Sequence, residues 1–435
     1  MVDKTLDKIN TFVPEKWRWV LEHGGFRKYF KNTGWMMLAK ILSLIISFVT
    51  TIFIARKLGP ENYGQLSYAI SFVGLFSFIA TMGLDQVLFR DLVKYPDKKN
   101  KYLGSAFIIR MVAAFLAIAA CLIVAIFLSN NDVSEILIFI IASTFIFNAF
   151  QIINYEFQAI AQAKYPSIVS LIIVIILNIL KLIIIATGKG VIYLAFILLL
   201  ESILYAGFYI LIYKWKLKKR MLDWKFDKTT SLNLIRDSWP MIFASAFALI
   251  YARIDQVMIK NMIDTSSVGI YDAAVRVSEA WYFVPGIIIS SLFPAIVNSR
   301  ERKDIYRERL KKLLILLVSL SVIVALAVSI FAPFIIKILY GSEFMDSVNI
   351  LKIYIWSGVW FSIGMLVTSY LVAENFRKIL FFSSFLGMSI NVVLNLIFIP
   401  RFGIIGSAWA TFISYAIIPL SIFCFKKVKN NLINN

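Results

Sequence analysis

The chain has 435 residues, 60% of them apolar, a formal net charge of +20 and 37 phenylalanines. That apolar share exceeds the 45–50% usual for soluble domains, so a soluble globular protein is excluded. Two cysteines, Cys121 and Cys424, and one histidine, His23, cannot assemble a zinc, haem or iron–sulfur site.

Residues 1–33 are basic and lack an apolar core, so no cleavable signal peptide is expected. Trp17, Trp19, Phe26, Tyr29 and Phe30 alternate there with Lys and Arg. Such a mixture suits either a helix lying on an anionic membrane surface or a solvated basic tail. Twelve apolar runs follow, near 34–54, 66–84, 104–128, 136–157, 167–187, 191–212, 239–260, 269–296, 313–339, 347–372, 379–399 and 403–425. Each is close to the roughly 20 residues a spanning helix needs. No set of short alternating segments suggests a barrel. The expected fold is an all-α integral membrane protein of twelve transmembrane helices in two six-helix lobes.

Charge orients the spans. With the N-terminus in the cytoplasm, segments assigned inside carry 33 of the 45 Lys and Arg, and those assigned outside carry six. By the positive-inside rule both termini are cytoplasmic. The net charge then reflects orientation and contact with anionic membrane lipids, and no nucleic-acid partner is expected. The organisation expected is a basic interfacial tail (1–33), an N-lobe (34–212), a basic cytoplasmic linker (213–238), a C-lobe (239–425) and a short tail (426–435).

The halves echo each other weakly. Between the first two spans the chain reads Arg56-Lys-Leu-Gly59-Pro-Glu-Asn-Tyr63-Gly64; between the seventh and eighth it reads Met262-Ile-Asp-Thr-Ser-Ser-Val-Gly269-Ile-Tyr271. Each short connection ends in a glycine that opens the next helix. Both halves start inside, so the repeat is parallel, an arrangement met in transporters.

Ionisable groups within spans are costly and point to function. Lys40, Arg110, Lys181, Arg253 and Arg276 are the candidate cations. Facing one cavity, they would hold an anion such as a phosphate, which Arg binds bidentately. Lys40 and Arg110 could instead snorkel to the inner interface. Asp255, Asp272, Glu279 and Glu201 are candidates for coupling to a proton or sodium gradient, and Glu156 is a further acid within the spans. Asp272, Arg276 and Glu279 share one helix face, so a simple same-helix ion ladder accounts for them equally well. Arg253 and Asp255 point about 200° apart and serve different partners. Asn148, Gln151, Asn154, Asn178, Gln256, Asn391 and Asn395 are sugar-contact candidates, or equally the glue between neighbouring helices.

The segments Phe53-Ile-Ala-Arg56-Lys-Leu-Gly59-Pro-Glu-Asn-Tyr63-Gly64, Tyr251-Ala-Arg253-Ile-Asp255-Gln256-Val-Met258 and Val268-Gly-Ile-Tyr271-Asp-Ala-Ala-Val-Arg276 resemble the polysaccharide-biosynthesis and O-antigen flippases. These belong to the multidrug/oligosaccharidyl-lipid/polysaccharide exporter superfamily. The resemblance implies a MATE-like pair of lobes in a V around a cationic cavity. It implies alternating access and outward movement of undecaprenyl-diphosphate-linked oligosaccharides across a bacterial inner membrane. It also implies transport without catalysis and without a cofactor, beside the glycan polymerase machinery. A drug/cation antiporter of the same fold usually lines its cavity with acids, and the five cations here argue against it. A membrane glycosyltransferase or polymerase would need larger outer loops than the roughly eleven residues available.

Overall fold

The computed structural model describes residues 24–128, 133–426 and 428. Residues 1–23, which hold most of the basic tail and His23, lie outside the described residues. What is described is almost wholly helical, as expected for a chain whose backbone polar groups must be satisfied within lipid. Eleven stretches among the described residues are long and apolar enough to cross a membrane.

The first helix, α1 (Gly24–Thr81), is 58 residues long and would measure about 87 Å if straight, nearly three times the hydrocarbon thickness of about 30 Å. It is not straight: Gly59, at φ 72° and ψ 171°, interrupts the helical backbone, and Pro60 follows. Then come α2 (Leu84–Lys94), α3 (Lys99–Phe127), α4 (Ser134–Ala142), α5 (Thr144–Asn148), α6 (Ile152–Ala159), α7 (Lys164–Ala186) and α8 (Val191–Leu217). The second half holds α9 (Lys228–Met262), α10 (Thr265–Glu279), α11 (Phe283–Val297), α12 (Lys303–Leu339), α13 (Ser347–Tyr354), α14 (Ser357–Ala373), α15 (Arg377–Phe402) and α16 (Ile404–Ser421).

Three apolar runs expected as single helices are broken. Run 136–157 carries a 3-10 turn at Ala149–Gln151 between α5 and α6. Runs 269–296 and 347–372 break between α10 and α11 and between α13 and α14. No glycine or proline sits at the breaks themselves, so hydropathy alone could not place them.

The chain divides into two compact units: residues 1–51, 77–123 and 139–242, and residues 52–76, 124–138 and 243–435. The boundaries fall inside α1, α3, α4 and α9.

In the first unit, Leu84, Val87, Leu88 and Leu92 recur at helical spacing along α2 and pack against Leu103, Ala106 and Ile109 of α3, Ile153 and Phe157 of α6, and Tyr209 and Tyr213 of α8. Asp85 and Lys94 sit at the ends of α2 whose dipole each complements. The basic stretch after α8 is pinned down. The Lys225 amide donates to the Asn100 carbonyl, and the Trp224 indole donates to the Tyr213 hydroxyl at 3.1 Å.

Asp227 caps α9, accepting from the Thr230 amide at 2.7 Å and its hydroxyl at 2.6 Å. These Thr230 bonds, helped by Lys101, hold its carboxyl below the ordinary range. A depressed folded-state value gives stability that is present above the unfolded value and lost as pH falls through the folded one. Asp227→Ala is therefore expected to lower the unfolding temperature above about pH 4, the difference closing at lower pH. Parallel melts of the two proteins across that range check it.

In the second unit, Tyr306, Leu310, Leu313 and Leu317 form the stripe of α12 that meets Ile289 and Ile296 of α11 and Leu366, Tyr370 and Leu371 of α14. Helices α15 and α16 run antiparallel and are joined by a polar ladder. Ser407 donates to Asn395 at 2.7 Å, Asn391 to Ser414 at 3.2 Å, and Ser421 to Ser383 at 2.9 Å.

Candidate functional site

In the first unit, three candidate cations take different positions. Lys40 is exposed on α1. Arg110 is 2% exposed; its guanidinium bonds Asp85 of α2 and lies 5.6 Å from the Tyr155 ring centroid. Lys181 of α7 pairs with Glu201 of α8 at 3.4 Å. Asn178, one turn before Lys181, is buried and donates to the Val174 carbonyl of its own helix at 2.7 Å. Gln151 donates to Asn148 at 3.3 Å; the spacing of three suits the 3-10 turn there, where residues i and i+3 eclipse. Asn154, half-buried, follows on α6. Glu156 is buried and receives Lys219 at 2.5 Å.

The second unit gathers the rest. Asp272 of α10 is 1% exposed and is aimed at by four donors. One oxygen accepts Tyr63 at 2.6 Å, Ser67 at 2.9 Å and Arg276 at 2.6 Å; the other accepts the Gln256 amide at 2.9 Å. Ser71 in turn donates to the Gln256 carbonyl oxygen. Tyr63, Ser67 and Ser71 are spaced four apart, so one face of α1 supplies the whole row. That row was readable as a polar stripe in an apolar helix, but its partner 209 residues away was not.

The row is possible because two helices touch. A Cβ on Gly64 would lie 1.9 Å from the Thr265 carbonyl oxygen. A Cβ on Gly269 would lie 2.1 Å from the Pro60 carbonyl oxygen and 3.1 Å from the Gly64 nitrogen. The glycines that open the second helix of each half therefore face one another.

Arg253 is set apart. Its side chain is 36% exposed, and its one ion pair among the described residues is to Glu279 at 3.8 Å. Five N–H donors with one long contact leave most of its capacity unused. Glu279 also accepts the Tyr354 hydroxyl at 3.3 Å. Glu279 thus leaves the ladder with Asp272 and Arg276 to serve a different helix.

Asp255, two residues on, is 2% exposed and points elsewhere. It accepts the Tyr271 hydroxyl at 2.5 Å, the Thr411 hydroxyl at 3.4 Å and the backbone N–H of Gln256 at 3.1 Å. No ion pair to it is present among the described residues, and Arg276 belongs to Asp272. Thr411 lies on α16 between Ser407 and Ser414 at helical spacing, a hydroxyl stripe that the sequence carried in plain view. Gln256, Asn391 and Asn395 are buried, and their amides bond neighbouring groups of the same unit.

The family model described as polysaccharide biosynthesis protein matches residues 29–300. The chain belongs to the polysaccharide biosynthesis protein family. A second model, described as lipid II flippase MurJ, matches residues 210–433. Members and relatives span archaea and bacteria. The probable low-salt glycan biosynthesis flippase Agl15 of Haloferax volcanii is 22% identical over 88% of this chain and 80% of its own length. The capsular polysaccharide biosynthesis protein CapF of Staphylococcus aureus is 21% identical over 91% and 99%. An uncharacterized membrane protein of Methanocaldococcus jannaschii, 23% identical, is matched over 48% of its length and 47% of this chain. Among solved structures, an inward-facing MATE multidrug transporter aligns with a TM-score of 0.74 at 13% identity, over 89% of this chain and 95% of its own. The inward closed lipid II flippase MurJ aligns with a TM-score of 0.70 at 19% identity, over 91% and 89%. At these identities the structures establish the fold of this family member, a multi-pass helical membrane protein.

Proposed function

We propose that this polysaccharide biosynthesis protein is a flippase that moves lipid-linked oligosaccharide units from the inner to the outer leaflet by alternating access. The carrier in this reading is undecaprenyl diphosphate in a bacterial inner membrane, and the glycan polymerase machinery receives the product. Twelve crossings, in six-helix lobes 34–212 and 239–425 with both termini cytoplasmic, complete the proposal. It assigns the chain transport without covalent catalysis.

The observation that carries the reading is Arg253: a cation inside a spanning helix, over a third exposed, with a single long ion pair. A diphosphate is the ligand a forked, under-used guanidinium recognises. Arg276, paired with Asp272 in the same unit, sets the surrounding field. Arg253→Ala is expected to reduce surface-glycan export by roughly 10- to 150-fold at normal protein level, the worth of a hydrogen bond to a charged group. Arg253→Lys keeps the charge without the fork and is expected to fall between. Full export by the Ala variant would remove Arg253 from the site.

Asp255 supports coupling to a proton or sodium ion. A carboxylate buried among hydroxyls, with no ion pair among the described residues, is satisfied by a proton or a bound monovalent cation. Asp272, by contrast, already has its cation. Asp255→Asn is expected to leave export insensitive to collapse of the coupling gradient. A drug/cation antiporter of the same fold would instead confer dye resistance on expression, without accumulation of glycolipid in the inner leaflet on deletion.

A further inference from the structure

The second unit holds an open-mouthed cavity of about 250 Å³ lined by Tyr251 of α9, Trp360, Phe361, Thr368 and Ser369 of α14, Ser384 of α15, and Tyr415 of α16, among others. At about 30 Å³ each, eight or so waters would fill it. Its place is fixed by helix register. Asp255 touches Thr411 at 3.4 Å, and the Tyr251 and Tyr415 rings meet edge to face at 5.5 Å. On two antiparallel helices both contacts step by four residues, so the ring pair lies one turn, about 6 Å, from the buried carboxylate. The step runs toward the start of α9 and the end of α16. Ser384 lies further that way, since Ser383 bonds Ser421 at 2.9 Å. Exposure follows the same gradient: Asp255 and Tyr415 are buried, Ser384 is half-buried and Thr368 is exposed.

We propose that this cavity is a hydrated vestibule through which a monovalent cation, proton or sodium, passes between the cytoplasm and Asp255, with the Tyr251–Tyr415 ring pair as its inner barrier. The proposal rests on the coupling role of Asp255 and assigns a path to it. Three features suit the task. Hydroxyls of Thr368, Ser369 and Ser384 replace part of an ion's hydration. The aromatic rings narrow the inner end and offer a cation their faces. Among the described residues no carboxylate, amine or guanidinium lines the cavity, so an ion is not held on its way.

The test uses the full chain with Cys121→Ala and Cys424→Ser, in inside-out membrane vesicles. Single variants Ser384→Cys and Thr411→Cys are treated with a cationic, membrane-impermeant thiosulfonate. Ser384→Cys is expected to react from the cytoplasmic face, and Thr411→Cys about tenfold more slowly, the factor one modest barrier imposes. Adding Tyr251→Ala is expected to erase that difference. Where Thr411→Cys does not accumulate, Ser407→Cys, one turn further, reports on the same barrier. Absence of reaction at Ser384→Cys, reaction only from the outer face, or equal rates at both depths overturns the vestibule. So does protection of Ser384→Cys by free sugar, which would make the cavity a glycan subsite. Gradient-driven, Asp255-dependent export alongside a dry cavity sinks the vestibule alone. Export by Asp255→Asn that still falls when the gradient is collapsed sinks the coupling reading instead.

Discussion

Asp272→Asn is expected to cost about 3–5 kcal/mol of stability, the penalty for breaking a buried ion pair from one side. The substitution changes shape hardly at all, so the loss isolates the charge. Four donors converge on this carboxylate: Tyr63, Ser67 and Arg276 on one oxygen, Gln256 on the other. An amide offers one accepting oxygen, and its nitrogen would turn two hydrogens onto donors. Whichever way it is placed, Arg276 loses its anion, at an ordinate in the membrane where an unpaired charge is expensive. Tyr63, Ser67 and Gln256 are buried with it, so solvent reaches the site only along the Arg276 side chain, which is 32% exposed. The melting midpoint in detergent measures the effect. Wild-type stability in the variant would show that Asp272 holds nothing together. Arg276→Met paired with Asp272→Leu should recover part of the loss, since replacing both members of a buried pair is far milder than removing one.

The second large effect is expected at the glycine crossing. Gly64→Ala places a methyl 1.9 Å from a carbonyl oxygen, and Gly269→Ala places one 2.1 Å from another. Both obstacles are backbone, which cannot rotate aside, so the helices must part. Overpacking of a tight contact costs typically 1–3 kcal/mol. Separation would also stretch the Tyr63 and Ser67 bonds to Asp272, which lie within two turns. Each Ala variant should therefore lose thermal stability, and the double variant less than the sum, because one displacement relieves both clashes. Additive losses in that cycle would show that the two glycines do not share a contact. Gly74, with open space around its would-be Cβ, is the matched control: Ala there should be neutral or slightly stabilising.

Much of this architecture was legible along the chain. Runs of about twenty apolar residues are a one-dimensional signal, as is the skew of Lys and Arg between the segments that join them. The i, i+4 pair of Asp272 and Arg276 needed only helix geometry, as did the divergence of Arg253 and Asp255. Pairings between helices were not legible. Whether Arg253 meets Glu279, or Asp255 meets Thr411, depends on the rotation and depth of each helix, which hydropathy leaves free. The breaks within 136–157, 269–296 and 347–372 escaped for a related reason: membrane helices bend where neighbours accept the freed backbone groups. The amides show the same limit. Their spacing marked polar faces, but only packing reveals that Asn391, Asn395 and Gln256 are held by neighbouring groups.

The meeting of Gly64 and Gly269 has a historical consequence. Contact between matching positions of two repeats is what a two-fold dimer shows where its axis passes through an interface. Were the halves once separate, identical chains, a single glycine would have faced its own copy. Any mutation there would have struck both sides at once and met its full penalty immediately. In one chain that constraint is absent: either position can change while the other stays small, and the inner faces of the pair are free to differ. Asp272 stands one turn beyond Gly269, whereas the first half has Ser67 one turn beyond Gly64. An acid opposite a copy of itself would have repelled; opposite serine and tyrosine it is held.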